Sequence, residues 1–327
     1  MCVKKENTVT VLQRIELVGI VPVVKINDAK NAINACRALR DGGIPIAEIT
    51  FRTDAAEESI KAVSGGLDDV LLGAGTVLTV DQAKRAIDAG AQFLVTPGFN
   101  DSVVEHCIKS DMPIIPGCSC PSDIERALGY GIKTVKLFPA DVIGGVAAVK
   151  AFSGPYVGVR FVPTGGVNID NMLSYLTLKQ VAAIGGSWMI SAAAIDRGDF
   201  ESIRVLAAQA VARLLGFCIR HIGIDAQDPE EAAQTAGVFA DMFDWPTNAG
   251  NSSIFTGTGI EVNKAKGRGE KGHIAIATND LTRAKAHLER KGYSFAEDSI
   301  KLRPDGKPAI IYFEKEVGGF ALHLFQL

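Results

Sequence analysis

The sequence predicts an α/β protein: a (β/α)8 TIM barrel followed by a smaller α+β domain. Three observations favour this fold class. Short apolar runs alternate with helical patterns over the first two thirds of the chain, which is typical of a parallel sheet covered by helices. An alanine-rich helical stretch at 206–216 then ends that pattern. Beyond it, a strand–helix–strand unit of roughly 50 residues occurs twice, which indicates a duplicated module.

The first domain is expected to span residues 1–214 and to contain eight strands. The apolar runs that predict them are 17–24, 47–51, 70–75, 93–97, 113–118, 134–139, 160–164 and 181–187. Eight strand–helix units in about 200 residues fit a short (β/α)8 barrel. Thr79-x-x-Gln82 and Ser122-x-x-Glu125 resemble capping boxes that begin helices after strands three and five. A doubly wound open sheet is the alternative, but no glycine-rich fingerprint follows the first strand.

Composition excludes several classes of function. The 327 residues carry a net charge of −3, so charge gives no reason to expect binding to nucleic acid or to an anionic membrane. We find no apolar run of about 18 residues that would predict a membrane span. The N-terminal segment Met1–Glu6 lacks the apolar stretch of a signal peptide, so a cytoplasmic location is expected. The six cysteines are scattered and form no zinc-binding set.

Polar residues and glycine pairs follow the predicted strands where each one ends. They are Glu48 and Arg52 at strand two, Thr76 at three, Thr96 and Pro97 at four, Lys136 at six, Thr164–Gly166 at seven and Gly185–Ser187 at eight. In a barrel, all of these positions face the one rim where such folds place their active sites. The glycine pairs after strands seven and eight also match the usual phosphate position of this fold.

Lys136 carries the most informative chemistry. It lies in a short apolar strand, 133–140, that is expected to be covered on both faces. Burial among apolar groups disfavours the charged form of a lysine, which makes a neutral amine available to attack a ketone. That chemistry is typical of a Schiff-base enzyme. Lys133 falls on the opposite face of the same strand and is expected to be solvated.

Seven motifs, in order between about residues 10 and 212, resemble the 2-keto-3-deoxy-6-phosphogluconate / 4-hydroxy-2-oxoglutarate aldolases. They are Gly19-Ile-Val-Pro-Val-Val24, Glu48-Ile-Thr-Phe-Arg-Thr53, Gly73-Ala-Gly-Thr-Val-Leu78, Pro116-Gly-Cys118, Val135-Lys-Leu-Phe-Pro-Ala140, Phe161-Val-Pro-Thr-Gly-Gly-Val167 and Ile184-Gly-Gly-Ser-Trp188. The resemblance implies a class I aldolase, a homotrimeric barrel without a cofactor. Such an enzyme would cleave the keto sugar phosphate to pyruvate and glyceraldehyde 3-phosphate, or 4-hydroxy-2-oxoglutarate to pyruvate and glyoxylate.

The resemblance also implies roles for individual residues. Lys136 matches the Schiff-base lysine and Glu48 matches the general acid and base. The positions that match substrate-binding residues are Arg52, Thr76 and Thr164 around the pyruvate carboxylate, Gly165, Gly166, Gly186 and Ser187 at the phosphate, Phe138 beside the lysine, and Pro97 in the pocket wall. Some relatives carry arginine where this chain has Lys25, so an anion contact there is not expected from the resemblance.

Two alternatives remain for the first domain. One is an aldolase for another 2-keto-3-deoxy sugar phosphate, such as the galactonate epimer. The other is a non-catalytic, phosphosugar-binding regulatory barrel. The joint presence of Lys136, Glu48 and Arg52 argues against lost chemistry.

The second domain is expected to span 217–327. The segment 221–228 aligns with 273–280, and 259–262 aligns with 321–324. Three of the five histidines fall at repeat-related strand positions: His221, His273 and His323. With Glu261 they form a set of imidazole and carboxylate ligands suited to a divalent metal. The remaining histidines, His106 and His287, lie in helical patterns and are expected to be solvated.

This repeat resembles the vicinal-oxygen-chelate superfamily, the glyoxalase and dioxygenase group built from paired βαβββ modules. The resemblance implies that His221, Glu261, His273 and His323 occupy its four metal positions. Lactoylglutathione lyases usually have glutamate where His323 stands, so a particular activity does not follow. The alternatives are a module whose histidines only pack or form hydrogen bonds, and a separate lyase or dioxygenase acting on a related oxo acid.

Overall fold

The computed structural model describes residues 9–327. The segment Met1–Glu6, on which the expected cytoplasmic location rests, lies outside those residues. The chain divides into a first unit that ends at Leu214 and a second unit, Leu215–Leu327. None of the helices in residues 9–327 combines the length and apolar character that a membrane span requires.

The first unit alternates strands and helices. Its strands are β1 Ile20–Val24, β2 Ile46–Thr50, β3 Leu71–Gly75, β4 Phe93–Val95, β5 Ile114–Ile115, β6 Gly117–Cys118, β7 Thr134–Leu137, β8 Arg160–Pro163 and β9 Ile184–Gly186. Its helices are α1 Val11–Val18, α2 Ala32–Asp41, α3 Ala56–Gly66, α4 Val80–Asp88, α5 Asp101–Lys109, α6 Pro121–Gly129, α7 Gly145–Ser153, α8 Met172–Leu176, α9 Ala192–Asp196 and α10 Phe200–Leu215. A 3-10 turn, Ala29–Asn31, precedes α2.

The strands of this unit pair in parallel and follow one another around a curved sheet. β1 lies between β2 and β9, and β2 to β5 continue in chain order. β6, β7 and β8 pair with one another in chain order. Isolated bridges at Phe161–Val181 and Thr164–Gly185 then connect β8 and the residue after it to β9 and the segment before it. The strands are buried and apolar because helices cover them. This is a TIM-like α/β domain, as the sequence predicts.

Two local predictions were wrong. The run 17–24 does not begin as a strand, because α1 continues to Val18 and Gly19 ends it in the left-handed conformation. The capping box at Ser122 does not form, because Pro121 is the first residue of α6 and Cys120 precedes the helix.

The box at Thr79 is confirmed, since its hydroxyl accepts a hydrogen bond from the Gln82 N–H. Pro116 divides the fifth predicted strand into β5 and β6, since proline lacks an N–H for the sheet.

The second unit is mostly sheet. Its elements are β10 Cys218–Asp225, α11 Pro229–Phe243, β11 Thr247–Ala249, β12 Ser253–Thr256, β13 Ile260–Asn263, β14 His273–Thr278, α12 Leu281–Arg290, β15 Phe295–Leu302, β16 Pro308–Phe313 and β17 Ala321–Gln326. The strands form one 8-stranded sheet in the order β11-β12-β13-β10-β14-β17-β16-β15. An apolar cluster under α11 includes Ala232, Ala236, Ile254 and Val262. Asp228 caps α11 by accepting hydrogen bonds from the N–H groups of Glu230 and Glu231.

Candidate active site and candidate metal centre

A buried ion pair lies at the strand ends of the first unit. Glu48 on β2 is 2% exposed and Lys136 on β7 is 5% exposed. Their Nζ and Oε1 atoms are 3.4 Å apart. The ring of Phe138 lies with its centroid 5.3 Å from the same Nζ. Each charge lowers the cost of burying the other, so the strands hold an amine and a carboxylate side by side away from bulk water.

Gly75 determines where the Glu48 carboxylate can lie. A Cβ atom at this position would be 2.1 Å from Glu48 Oε1, which is closer than atoms can approach. Any residue with a side chain at position 75 would therefore displace the Glu48 carboxylate from Lys136. No role was predicted for Gly75 from the sequence, although a glycine inside a strand is a signal of close approach.

Arg52 follows β2 and is oriented by its own strand. Its Nε donates to the Thr50 hydroxyl at 3.2 Å, and this hydroxyl donates to the Val24 carbonyl at 3.0 Å. Thr50 is fully buried, whereas Arg52 is exposed. The guanidinium is thus tethered at one end and keeps N–H groups that can bind a carboxylate. Thr50 was also missed by the sequence analysis, because a strand threonine has no distinctive pattern.

The residue after β3 has an unusual backbone. Thr76 has φ of 55°, a left-handed conformation that a β-branched residue rarely adopts. Its neighbour Gly75 contacts Glu48, so the turn that carries Thr76 begins at the ion pair. Strained residues of this kind cluster at functional sites. Pro97, another predicted site residue, is half-buried, and its backbone contacts Gly117 where β6 begins.

The glycine pairs lie where they were expected along the chain. Gly165 and Gly166 have φ of 94° and 81° and lie one residue beyond the end of β8. Thr164 is buried, and a Cβ at Gly185 would be 2.2 Å from its Oγ1. The last two predicted residues are Gly186, which is buried and ends β9, and Ser187, which is exposed. Glycine turns of this kind can present backbone N–H groups to an anion.

These features match a known family. The family model described as "KDPG and KHG aldolase" matches residues 11–206. The chain belongs to this family. It is accordingly a class I aldolase, an enzyme of the aldehyde-lyase class.

Individual relatives agree with the family assignment. The chain is 48% identical over 203 residues to the 2-dehydro-3-deoxy-phosphogluconate aldolase of Treponema pallidum, covering 62% of this chain and 97% of the relative. It is 40% identical over 192 residues to the KHG/KDPG aldolase of Escherichia coli K12, covering 59% and 90%.

A solved structure agrees as well. The KDPG aldolase of Legionella pneumophila was captured at low pH with pyruvate as a covalent carbinolamine intermediate. It has a TM-score of 0.60 and 35% identity to this aldolase, covering 62% of this chain and 98% of that one.

The family match ends at residue 206, before the second unit begins. In that unit of the aldolase, strand register collects polar residues on one face of the sheet. Glu261 pairs with Gly223, which pairs with His273. In the next row His221 pairs with Ala275, which pairs with His323. Since paired residues point to the same face, residues that lie far apart along the chain converge there.

The four predicted metal ligands do come together. His221 Nε2 lies 3.1 Å from His273 Nε2, and Glu261 Oε2 lies 3.0 and 3.3 Å from the same two atoms. His221, His273 and His323 each offer a ring nitrogen within 4.8 Å of the others. All three histidines are buried, and the Glu261 side chain is 16% exposed. One divalent ion could contact the three ring nitrogens, and the Glu261 carboxylate lies beside two of them.

Electrostatics favour the ligand forms of these side chains. Burial lowers the pKa of His323 to about 4, so its imidazole is neutral near pH 7. Burial alone would raise the pKa of Glu261, but hydrogen bonds from His221, His273 and Ser253 hold it well below its ordinary value. A neutral imidazole and an ionised carboxylate are the forms that bind a metal.

Gly223 seats one of these histidines. A Cβ at this position would lie 2.0 Å from the His273 ring, so only glycine leaves room for the imidazole. The sequence analysis did not identify Gly223, although the repeat placed it two residues after His221. It also expected His287 to be solvated, which is wrong. His287 is half-buried, and burial, with help from nearby Arg290 and Lys291, lowers its pKa to about 4.

Proposed function

We propose that this aldolase cleaves 2-keto-3-deoxy-6-phosphogluconate to pyruvate and glyceraldehyde 3-phosphate through an imine on Lys136. Cleavage of 4-hydroxy-2-oxoglutarate to pyruvate and glyoxylate is part of the same proposal. The buried Lys136–Glu48 pair at 3.4 Å is the observation that carries it. The names of the relatives include both activities, and a related aldolase holds pyruvate as a carbinolamine.

The two buried groups divide the chemistry. Glu48 takes a proton from the Lys136 ammonium, and the freed amine attacks the C2 ketone, with an amine proton moving to the oxygen, to give a carbinolamine. The Glu48 carboxyl group then protonates the carbinolamine hydroxyl, which leaves as water, and the resulting iminium withdraws electrons from C3. Glu48 removes the C4 hydroxyl proton, the C3–C4 bond breaks, and the aldehyde leaves. The resulting enamine takes a proton at C3 from the Glu48 carboxyl group. Water then hydrolyses the iminium, which releases pyruvate and restores the amine.

The surrounding groups orient the substrate in this proposal. Arg52 binds the carboxylate next to the ketone, with Thr76 and Thr164 as neutral hydrogen-bond partners. Phe138 and Pro97 form apolar walls beside the imine. The substrate phosphate lies at the remaining predicted residues, Gly165, Gly166, Gly186 and Ser187. A non-catalytic regulatory barrel is disfavoured because Lys136 and Glu48 are paired and buried.

Borohydride trapping tests the lysine. Pyruvate and borohydride should reduce an imine onto Lys136 and add the corresponding mass to its peptide. Lys136→Ala should abolish turnover, while Lys133→Ala, at an exposed position on the same strand segment, should keep most of it. Labelling of another lysine would contradict the assignment. Comparing kcat/KM for phosphorylated and unphosphorylated substrates, including the galactonate epimer, would identify the preferred one.

We also propose that the second unit binds a divalent metal through His221, Glu261, His273 and His323. Two repeats of strand, helix and three strands support a vicinal-oxygen-chelate module of paired βαβββ units. The convergence of three ring nitrogens, two of them beside one carboxylate, supports the ligand set. A bound ion would supply Lewis-acid chemistry, and a lyase or dioxygenase acting on an oxo acid would use it. A module whose histidines only pack is the competing proposal.

Metal content tests this proposal. The full chain dialysed against Zn²⁺ or Co²⁺ should retain one ion, and His273→Ala should lose it without altering the aldolase KM. Equal metal content in both proteins would support the packing role instead. We further propose domains of 1–214 and 217–327 and a homotrimer, which light scattering on the full chain would test.

A further inference from the structure

A positively charged loop reaches the metal cluster of the second unit. Arg268 lies in the segment 264–272 between β13 and β14. Its guanidinium carbon is 5.1 Å from the centroid of the Tyr312 ring. The Tyr312 ring is in turn 4.7 Å from the ring of His323 and 6.4 Å from that of His273. The guanidinium and two proposed metal ligands therefore lie around the same aromatic ring.

The loop is held in place at both sides of Arg268. The buried Asp225 carboxylate accepts hydrogen bonds from the Gly267 N–H at 2.9 Å and from Asn263 at 2.8 Å. Lys266 donates to the carbonyls of Gly269 and Glu270, both at 2.8 Å. Residues on either side of Arg268 are thus anchored, so the position of the arginine backbone is built into the fold. Such anchoring reduces the entropy lost when a side chain binds a ligand.

Arg268 has spare capacity to bind an anion. Among residues 9–327, Arg268 forms an ion pair with Asp298 at 3.5 Å, and the Asp298 side chain is 81% exposed. Exposed pairs of this kind contribute little, so a ligand carboxylate can replace or join Asp298 at low cost. The side chain of Arg268 is 49% exposed, whereas the histidines behind Tyr312 are buried. The guanidinium is therefore more accessible to a ligand from solvent than the histidines are.

The charge of the cluster with a metal bound would also favour an anionic ligand. A divalent ion held by one carboxylate and three neutral imidazoles would keep a net positive charge. Arg220 adds charge at the other end of the strands, 5.7 Å from the Phe325 ring that contacts His221. An incoming ligand with a negative charge is favoured by both. The rings of Phe255 and Phe325 lie near that of His221, with centroids 5.5 and 6.5 Å away, so aromatic groups surround this part of the cluster.

We propose that Arg268 recognises the carboxylate of a small anionic ligand bound at this metal cluster, of the class of a 2-oxo acid. This inference rests on the proposed metal site. A carboxylate matches the planar fork of a guanidinium, and a 2-oxo acid is the class of product that a class I aldolase of this family would release. The second unit would then bind, or act on, a compound made by the same chain.

Comparing the binding of oxalate and of oxamide tests whether the ligand is recognised by its charge or by its shape. Both are small and similar in size, oxalate carries two negative charges, and neither has a ketone that could form an imine with a lysine. Calorimetry on the Zn²⁺-loaded full chain should show oxalate binding, and Arg268→Gln should weaken it about ten- to a hundredfold. Binding of oxamide should be the same in both proteins. Asp298→Asn, the matched control, should leave oxalate binding unchanged or tighter, since it removes a competing carboxylate.

The outcomes distinguish the two proposals. Failure of the wild-type chain to take up metal overturns the metal site and this inference together. Normal metal uptake with equal oxalate affinity in wild type and Arg268→Gln overturns this inference alone. Inorganic phosphate that displaces oxalate at equal concentration would contradict the assignment to a carboxylate. Metal content and Tm of Arg268→Gln, both expected to equal the wild-type values, show that the variant is folded.

Discussion

The two sites of this chain share one packing feature, a glycine that makes room for a functional side chain, and they differ in how charge is balanced. Each seats a functional side chain against a glycine on the neighbouring strand: Glu48 against Gly75, and His273 against Gly223. In the first unit the buried carboxylate is compensated by the chain itself, through Lys136. In the second unit the partners of Glu261 are imidazoles, which are neutral ligands when a metal binds. The carboxylate of the first site therefore has a cationic partner within the chain, whereas a bound cation would supply the opposite charge for Glu261 in the second.

The largest expected effect tests the completed site. Glu48→Gln keeps the size of the side chain but removes its ability to take a proton. Cleavage and proton exchange into pyruvate should both slow by about 10² to 10⁴-fold, while borohydride still traps the imine on Lys136. Rates of hydrogen–deuterium exchange into pyruvate measure this directly. Near-normal exchange would make Glu48 a structural partner of the lysine.

Gly75→Ala tests whether the packing of Glu48 against a glycine matters in the first unit. The added methyl group would lie 2.1 Å from Glu48 Oε1, so the carboxylate must move away from Lys136. We expect kcat to fall by about 10 to 100-fold, because small misplacements of a catalytic group have such costs. Gly65→Ala, on α3 with open space around its Cβ, is the matched control and should retain activity. Metal content of the second unit should not change.

Gly223→Ala is the corresponding test in the second unit. Its methyl group would meet the His273 ring at 2.0 Å, so metal affinity should fall by at least about tenfold. The aldolase kcat should be unchanged. Gly237→Ala, on α11 with open space, is the control. If either glycine variant lowered both the aldolase kcat and the metal affinity, the prediction that the two sites are independent would be wrong.

How far the sequence predicts each site depends on how the site is built. Lys136, Glu48 and Arg52 could be found because barrels collect strand ends at one rim, so position along the chain implies position in space. The histidines of the second unit come from the face of a sheet, and only the internal repeat aligned His221 with His273. Gly75 and Gly223 were missed because a strand glycine signals a close approach but does not identify the side chain on the neighbouring strand that approaches it. Thr50 was missed because a threonine in a strand is common and has no distinctive pattern.

A smaller effect tests how the substrate carboxylate is held. Thr50→Val keeps the shape of the side chain but removes the hydroxyl that accepts from Arg52 Nε. Because Arg52 would lose orientation but keep its charge, we expect KM for the keto acid to rise by roughly three- to tenfold, with a smaller change in kcat. Thr53→Val is the control, since its hydroxyl donates instead to the Ile26 carbonyl. A fall in kcat with unchanged KM would contradict this positioning role.

The smallest expected effect concerns pH and lies outside both sites. Burial, together with Arg290 and Lys291, lowers the pKa of His287 to about 4, against an ordinary value of 6.5. The unfolded chain therefore binds a proton at a higher pH than the folded chain does. Stability from the neutral imidazole is fully present above pH 6.5 and is lost as pH falls from 6.5 towards 4. Partial exposure reduces the effect to about 1 to 2 kcal/mol.

Hydrogen exchange of the α12 amides, corrected for intrinsic rates, measures the free energy of opening between pH 7 and 4. In wild type this free energy should fall with pH, and in His287→Gln the fall should be shallower, because glutamine does not titrate. His106→Gln, on α5 in the first unit, is the control and should leave the α12 profile unchanged. Identical pH profiles in wild type and His287→Gln would show that the half-buried imidazole takes up its proton without opening the helix.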